Sequence, residues 1–284
     1  MIFRRFLQIS ISFGLLLFGC ENTSYPPGPI GELLSLSYDR VTVNESSKDT
    51  YYLESFLSQY MSPLFGDSYI QSPANSQIEF ANIGGYMKGQ SDSIVFLVAH
   101  YDVADADFLS QPVPGANDNT SGVVAILQLV EAIQNPYYSI VVLLTDGEEE
   151  GLWGATYFSE NLPSLPGHVK TVINLDMVGR FNQYGGFYLI NGSSPLLAIL
   201  SSTTISTSLI IDSSKDSLLH NRTDLKALSL IEQESFSPTH SFTITGFETE
   251  YPYHHSSDDI STLDFHAIGA ATELLFWLVK YPYH

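Results

Sequence analysis

The sequence predicts an α/β fold: one domain with a mixed, mostly parallel central sheet and helices on both faces. Short apolar runs of strand length (94–99, 140–144 and 172–175) alternate with segments of helical periodicity. Each of those runs leads directly into polar, acidic or histidine residues, as expected where strand ends open onto a single crevice. The 284 residues, 44% hydrophobic and 13% aromatic, suffice for a large core and exclude a disordered chain. A formal charge of −20 excludes nucleic-acid binding and a basic membrane patch.

Taken in order, Arg4 and Arg5 precede an apolar stretch, 6–18, that ends in Leu17-Phe18-Gly19-Cys20. That stretch is shorter than the ~20 residues of a spanning helix. It resembles a bacterial lipoprotein signal, which predicts a signal peptide over 1–20 and lipidation of Cys20. The lipid would anchor an exported chain to the cell envelope, on its periplasmic or surface side. Cys20 is the only cysteine, so no intrachain disulfide can form. Residues 21–45, with Pro26, Pro27, Gly28, Pro29 and Gly31, read as tether and lead-in, and 46–284 as the domain.

Within that domain, apolar spacing predicts a helix over 46–60. Strands over 78–87 and 93–99 follow, joined at Lys88-Gly89-Gln90. Next come a helix (121–134), a strand (139–145), a helix (152–161) and strands at 171–175 and 187–191. Helices are expected at 195–204 and 216–227, and an apolar helix over 264–280 closes the chain.

The chemistry lies in five stretches: His100-Tyr101-Asp102, the Asn117-Asp118-Asn119 segment, Glu148-Glu149-Glu150, Asn174-Leu175-Asp176 and His254-His255 through Asp258-Asp259. Imidazole and carboxylate are the donors a divalent zinc accepts where no cysteine is at hand. His100 and Asp102 lie two apart beyond a strand, so they face one way, as a ligand and the carboxylate orienting it would. Asp118, framed by Pro114, Gly115 and Gly122, ordinarily reads as a helix cap, but a carboxylate held there can bridge two cations. Of two adjacent glutamates, one can bind metal while the other takes a proton from water. Asp176 ends a strand as a further candidate, and spacing alone does not choose between His254 and His255.

In this order the stretches resemble the co-catalytic zinc aminopeptidases, a family that includes glutamate carboxypeptidase-type enzymes and glutaminyl cyclases. The resemblance runs from about residue 78 to 264. It implies zinc ligands at His100, Asp118 (bridging), Glu149, Asp176 and His255, with Glu148 as general base and two zinc ions per chain. One ion would take His100, Asp176 and Asp118; the other would take Glu149, His255 and the same Asp118. The family's final histidine is followed four residues later by aspartate, which pairs His255 with Asp259. Many relatives carry Ser-Asp-His before the last strand, where this chain has Pro238-Thr239-His240, so His240 is the candidate to polarise a substrate carbonyl.

The implied activity is hydrolysis of amino-terminal peptide bonds, with peptides as substrates and the lipid on Cys20 as membrane contact. The rival readings are a one-zinc glutaminyl cyclase and a catalytically dead surface-binding lipoprotein. A carboxypeptidase with an inserted dimerisation domain is disfavoured, because only 26 positions separate Glu150 from Asp176.

Overall fold

A computed structural model describes residues 46–73, 80–104, 111–192, 207–219 and 221–283. The signal, Cys20, the tether and the helix expected at 195–204 lie outside these.

A helix, α1 (Ser46–Leu57), leads into two short strands, β1 (Ser62–Pro63) and β2 (Ile70–Gln71), then β3 (Asn82–Met87) and β4 (Ser93–His100). They are followed by a π-helical turn (Ala116–Thr120), α2 (Ser121–Ala132), β5 (Ser139–Thr145), α3 (Trp153–Glu160) and β6 (His168–Leu175). After β7 (Gly186–Ile190) and β8 (Ser208–Ile210) come α4 (Ser213–Leu219), α5 (Leu225–Leu228), β9 (His240–Thr245) and α6 (Phe265–Lys280).

The strands form one sheet in the order β1-β3-β5-β4-β6-β9-β7-β8, with β2 also on β3. Its middle, β5-β4-β6-β9, is parallel, while β3 and β7 join it antiparallel and β8 runs parallel to β7. β4 reads Ser-Ile-Val-Phe-Leu-Val-Ala-His and is buried after its first residue, because helices cover both faces of a parallel sheet. Alternation sends Val95, Leu97 and Ala99 to the side covered by α1, α2 and α6. Ile94, Phe96 and Val98 face α3 and α5. Each such buried side chain contributes about 1.5–3 kcal/mol. No helix among the described residues is long and apolar enough to cross a membrane.

Besides the short strands β1, β2 and β8, which the sequence did not foreshadow, two elements differ from expectation. The helix expected over 216–227 is divided into α4 and α5, because Thr223 and Asp224 turn inward and are buried. β9, for which periodicity gave no warning, lies between β6 and β7. Its place matters, because the four central parallel strands end together at His100, Thr145, Leu175 and Thr245.

Candidate metal centre

His100 is the last residue of β4, 2% exposed, where pairing with Thr145 of β5 fixes its backbone. Its Nδ1 lies 3.2 Å from the backbone carbonyl of Asp102 and 3.5 Å from that residue's Oδ1. A ring donating there leaves the Nε2 lone pair directed inward, 3.3 Å from Asp118 Oδ1 and 3.9 Å from Asp176 Oδ1. Asp102 also accepts from the backbone N–H of Glu149 (3.0 Å), tying the β4 end to the acidic turn.

Asp118 is held by its neighbours. Asn119 donates to the Leu175 carbonyl (2.8 Å) and accepts from the backbone N–H groups of Gly122 and Met177, both at 3.1 Å. Asn117 accepts from Gly179 N–H at 2.9 Å. Gly115 has φ +65°, and a Cβ there would sit 2.2 Å from Val103 Cγ1 and 2.6 Å from the Asp118 carbonyl. The glycine and amide framing thus presses this turn against the end of β6, and Asp118 is 4% exposed.

The third stretch leaves β5 through Asp146-Gly147. Glu148 lines the cleft, and no side-chain hydrogen bond holds it among the described residues. Glu149, its side chain 7% exposed, lies near Asp118, and Glu150 is exposed. Donor atoms of His100, Glu148 and Asp176 come within 4.8 Å of one another, and so do those of His100, Asp118 and Glu149.

The last stretch is shifted by one residue from the resemblance. His254, not His255, reaches the cluster, with Nε2 2.7 Å from Glu149 Oε2 and 3.6 Å from Asp118 Oδ2. Its backbone has φ +47°, a left-handed conformation uncommon for a histidine, which turns the ring inward. His255 instead binds Ser257 through Nδ1 (2.8 Å to Oγ). The spacing of four survives the shift. Asp258, fully buried, accepts from the N–H groups of Asn117 (2.9 Å) and Asp118 (3.0 Å). Asp259 faces away and caps a short 3₁₀ turn through Ser261.

His240 is also displaced from its expected place. It opens β9 opposite Thr171, at the far end of the strand from Thr245, about 16 Å at 3.3 Å per residue. It therefore cannot polarise a carbonyl in the cleft. Sequence reasoning missed Asp224, 1% exposed, which accepts from Thr145 Oγ1 and whose Oδ1 has no hydrogen-bond partner among the described residues. Asp224 was hidden in the sequence inside a segment with helical spacing; the Thr-Asp pair, a common helix opening, was the available signal.

The electrostatics are those of crowded, desolvated acids. Burial, with Glu149 and Asp176 nearby, raises Asp118 to about 7 against the pull of His100. Burial raises Glu148 to about 10, opposed by His100 and reinforced by Asp224, Asp176 and Asp118. Asp224 rises to about 7 for the same first reason. Burial alone would lower His100, but Glu148, Asp102, Asp118 and Asp176 together hold it well above its ordinary value. Such a site calls for cations.

The donor set fits zinc. Ligand bonds of about 2.0–2.1 Å at tetrahedral angles put donor atoms roughly 3.3 Å apart, and the four imidazole–carboxylate separations here run from 2.7 to 3.9 Å. His254 Nε2 is buried and, among the described residues, makes no hydrogen bond of ordinary geometry despite its short approach to Glu149. The surrounding cleft has apolar walls of Met177, Leu219, Phe247 and Tyr253.

A mixed α/β sheet whose parallel strand ends gather imidazoles and carboxylates around a buried aspartate defines the zinc-peptidase class of fold. The chain matches the model of peptidase family M28 over residues 82–279, and it belongs to that family. A probable zinc metalloprotease of Pyrenophora teres f. teres is 33% identical over 122 residues, 39% of this chain and 25% of that protein. Leucine aminopeptidase 2 of Trichophyton equinum is 34% identical over 109 residues, 37% of this chain and 21% of that protein. The match thus spans a quarter or less of these relatives' length. In fold, the chain is similar to a glutaminyl cyclase of Bacteroides thetaiotaomicron, with a TM-score of 0.63, 19% identity, and coverage of 89% of this chain and 98% of that one.

Proposed function

We propose that this chain is a zinc-dependent aminopeptidase with Glu148 as general base. Its metal would be held in two sets that share Asp118: His100 with Asp176, and Glu149 with His254. The observation that carries the reading is this pair of imidazole–carboxylate sets, set beside a cleft carboxyl, Glu148, that no side-chain hydrogen bond holds among the described residues. Zinc bound there would supply the Lewis acidity that polarises a scissile carbonyl and acidifies a water.

The remaining work belongs to the chain. Asp102 orients the His100 ring, and Asp258 fixes the backbone that presents Asp118. Glu148, facing the cleft, takes the proton of the attacking water and returns it to the leaving nitrogen. The apolar walls exclude water and receive a side chain next to the scissile bond.

The experiment is a panel of aminoacyl fluorogenic substrates beside amino-terminal glutamine peptides, with and without zinc, and with zinc counted per chain. Zinc-dependent release from the aminoacyl substrates is expected. Conversion of glutamine peptides alone, with one zinc per chain, would identify a glutaminyl cyclase. Turnover of neither would leave a binding lipoprotein. The basic head, apolar stretch and Gly19-Cys20 junction further support a lipid anchor on Cys20. Cys20→Ser should release the protein from membranes, and unchanged membrane association and mass would refute the anchor.

A further inference from the structure

Positive charge is scarce in this chain, and where each cation goes is informative. Lys88 pairs with Asp92, and Lys215 with Glu248 at 2.7 Å. Lys170 lies over the rings of Tyr138 and Tyr283, Arg180 lies over Tyr251 at 5.0 Å, and Lys280 donates to the Gln134 and Asn135 carbonyls. Two more described cations, Arg222 and Lys226, have no side-chain hydrogen bond or ion pair to any described residue. Arg222 lines the cleft, and Lys226 does not.

Arg222 is exposed, yet its place is fixed. Its N–H donates to the Leu219 carbonyl at 2.9 Å. The next two residues are buried, with Thr223 Oγ1 3.2 Å from Thr243 Oγ1 and Asp224 bound to Thr145. The guanidinium therefore stands at the rim of a cleft whose floor holds Asp118, Glu148, Glu149 and Asp176, and it pairs with none of them. Those carboxylates face inward, and bound cations would offset their charge further. The other charged groups lining the cleft suit metals and an amine; Arg222 alone suits an anion. Its planar fork of N–H donors matches a carboxylate in a way a lysine does not.

We propose that Arg222 is a specificity residue that binds a carboxylate of the peptide substrate at the rim of the cleft. That carboxylate is either the carboxyl terminus of a short peptide or an acidic side chain. The inference rests on the aminopeptidase reading and narrows its substrate class.

The test uses the zinc-loaded full chain and its Arg222→Gln, Arg222→Lys and Lys226→Gln variants. Substrates are Leu-Gly, Leu-Gly amide, and the p-nitroanilides of Leu and Glu. Arg222→Gln should raise KM by about 10–100-fold, the span of a charge-assisted contact, only for substrates that carry the recognised carboxylate, with kcat unchanged. Loss confined to Leu-Gly identifies the chain terminus; loss confined to Glu p-nitroanilide identifies a side chain. Arg222→Lys should recover part of the loss, and Lys226→Gln should match the wild type. The same effect of Arg222→Gln on all four substrates, or an equal loss in Lys226→Gln, overturns the proposal.

Wild-type failure on every substrate overturns the aminopeptidase reading instead. Calorimetric binding of the same four compounds to Glu148→Gln protein, with and without Arg222→Gln, then reads the carboxylate preference without turnover. Absence of any carboxylate preference there also overturns the Arg222 proposal.

Discussion

Glu148 and Glu149 leave β5 on consecutive residues, and their surroundings divide them. Glu149 is locked through its own N–H to Asp102 and lies against His254, whereas Glu148 faces the cleft with no side-chain hydrogen bond to a described residue. Glu148→Gln should keep its zinc and lose about 10²–10⁴ in kcat, the span of a positioned proton-transfer group. Glu149→Gln should lose zinc affinity and regain activity with excess metal, and exposed Glu150→Gln should behave as wild type. Zinc by mass spectrometry and turnover on one substrate decide this; a metal-depleted Glu148→Gln would make Glu148 a ligand, in keeping with its place near His100 and Asp176. The histidines divide in the same way. His254→Ala should lower zinc content and activity together, while His255→Ala, whose Nδ1 contacts Ser257 rather than the cluster, should retain most of both. The opposite result would restore the register implied by the resemblance.

At the scale of elements, the loop after β9 is braced from behind. Glu248 accepts from Lys215 of α4, from Tyr188 of β7 at 2.7 Å and from the N–H of Gln183 at 3.1 Å. Lys215 also donates to the Phe247 carbonyl (3.3 Å); the Phe247 ring meets Tyr253 edge-on, and Tyr253 stacks on His254 at 3.8 Å. Lys215→Met would leave Glu248, whose side chain is 6% exposed, without its cation. Loss of one partner of a buried pair costs about 3–5 kcal/mol, so urea unfolding should shift by that order and zinc affinity should fall with it. Glu248→Gln in the same chain should recover much of the stability; no recovery would mean that the pair is not what braces the loop. This brace was illegible in sequence, because Lys215 and Glu248 are joined only once β9 is in place. The central strands were legible, since a sheet covered on both faces demands unbroken apolar runs such as 94–99 and 140–144. The acidic turn and the Asn117–Asn119 segment were legible for a different reason: their residue types are distinctive in sequence, an acidic run after a strand and an Asn-Asp-Asn segment framed by Gly115 and Gly122. The choice between His254 and His255 was not, because a backbone φ of +47° at His254, set by its tertiary surroundings, reverses which ring points inward. β1, β2 and β8, two or three residues each, are too short to have a period.

For the whole molecule, a parallel sheet that concentrates carboxylates at one edge sets a dependence of stability on pH. Burial raises Asp118 and Asp224 to about 7, and Asp146 and Asp258 to about 6. Each binds its proton more tightly folded than unfolded, where a carboxyl titrates near 3.9. Their stabilising contribution is therefore complete below about pH 4 and is lost as pH rises through about 6–7. His100 and His254, both raised, act in the same direction: their contribution is present below about 6.5 and is lost as pH climbs through their higher folded values. Asp102, lowered in spite of burial by the His100 contact and backbone donors, works oppositely, but only in more acidic solution. Metal-stripped protein should thus melt at a lower temperature at about pH 8 than at about pH 5. The difference should exceed about 4 °C, since one pKa unit carries about 1.4 kcal/mol and each kcal/mol moves Tm by about 2–4 °C in a domain of this size. Zinc should reverse the trend, because its ligands bind deprotonated and its stabilisation grows with pH. Differential scanning calorimetry with and without zinc at the two pH values measures both slopes. A metal-free Tm that stays level or rises from pH 5 to 8 would mean that the acids at the strand ends carry no excess protons, and that the site does not depend on cations to be ionised.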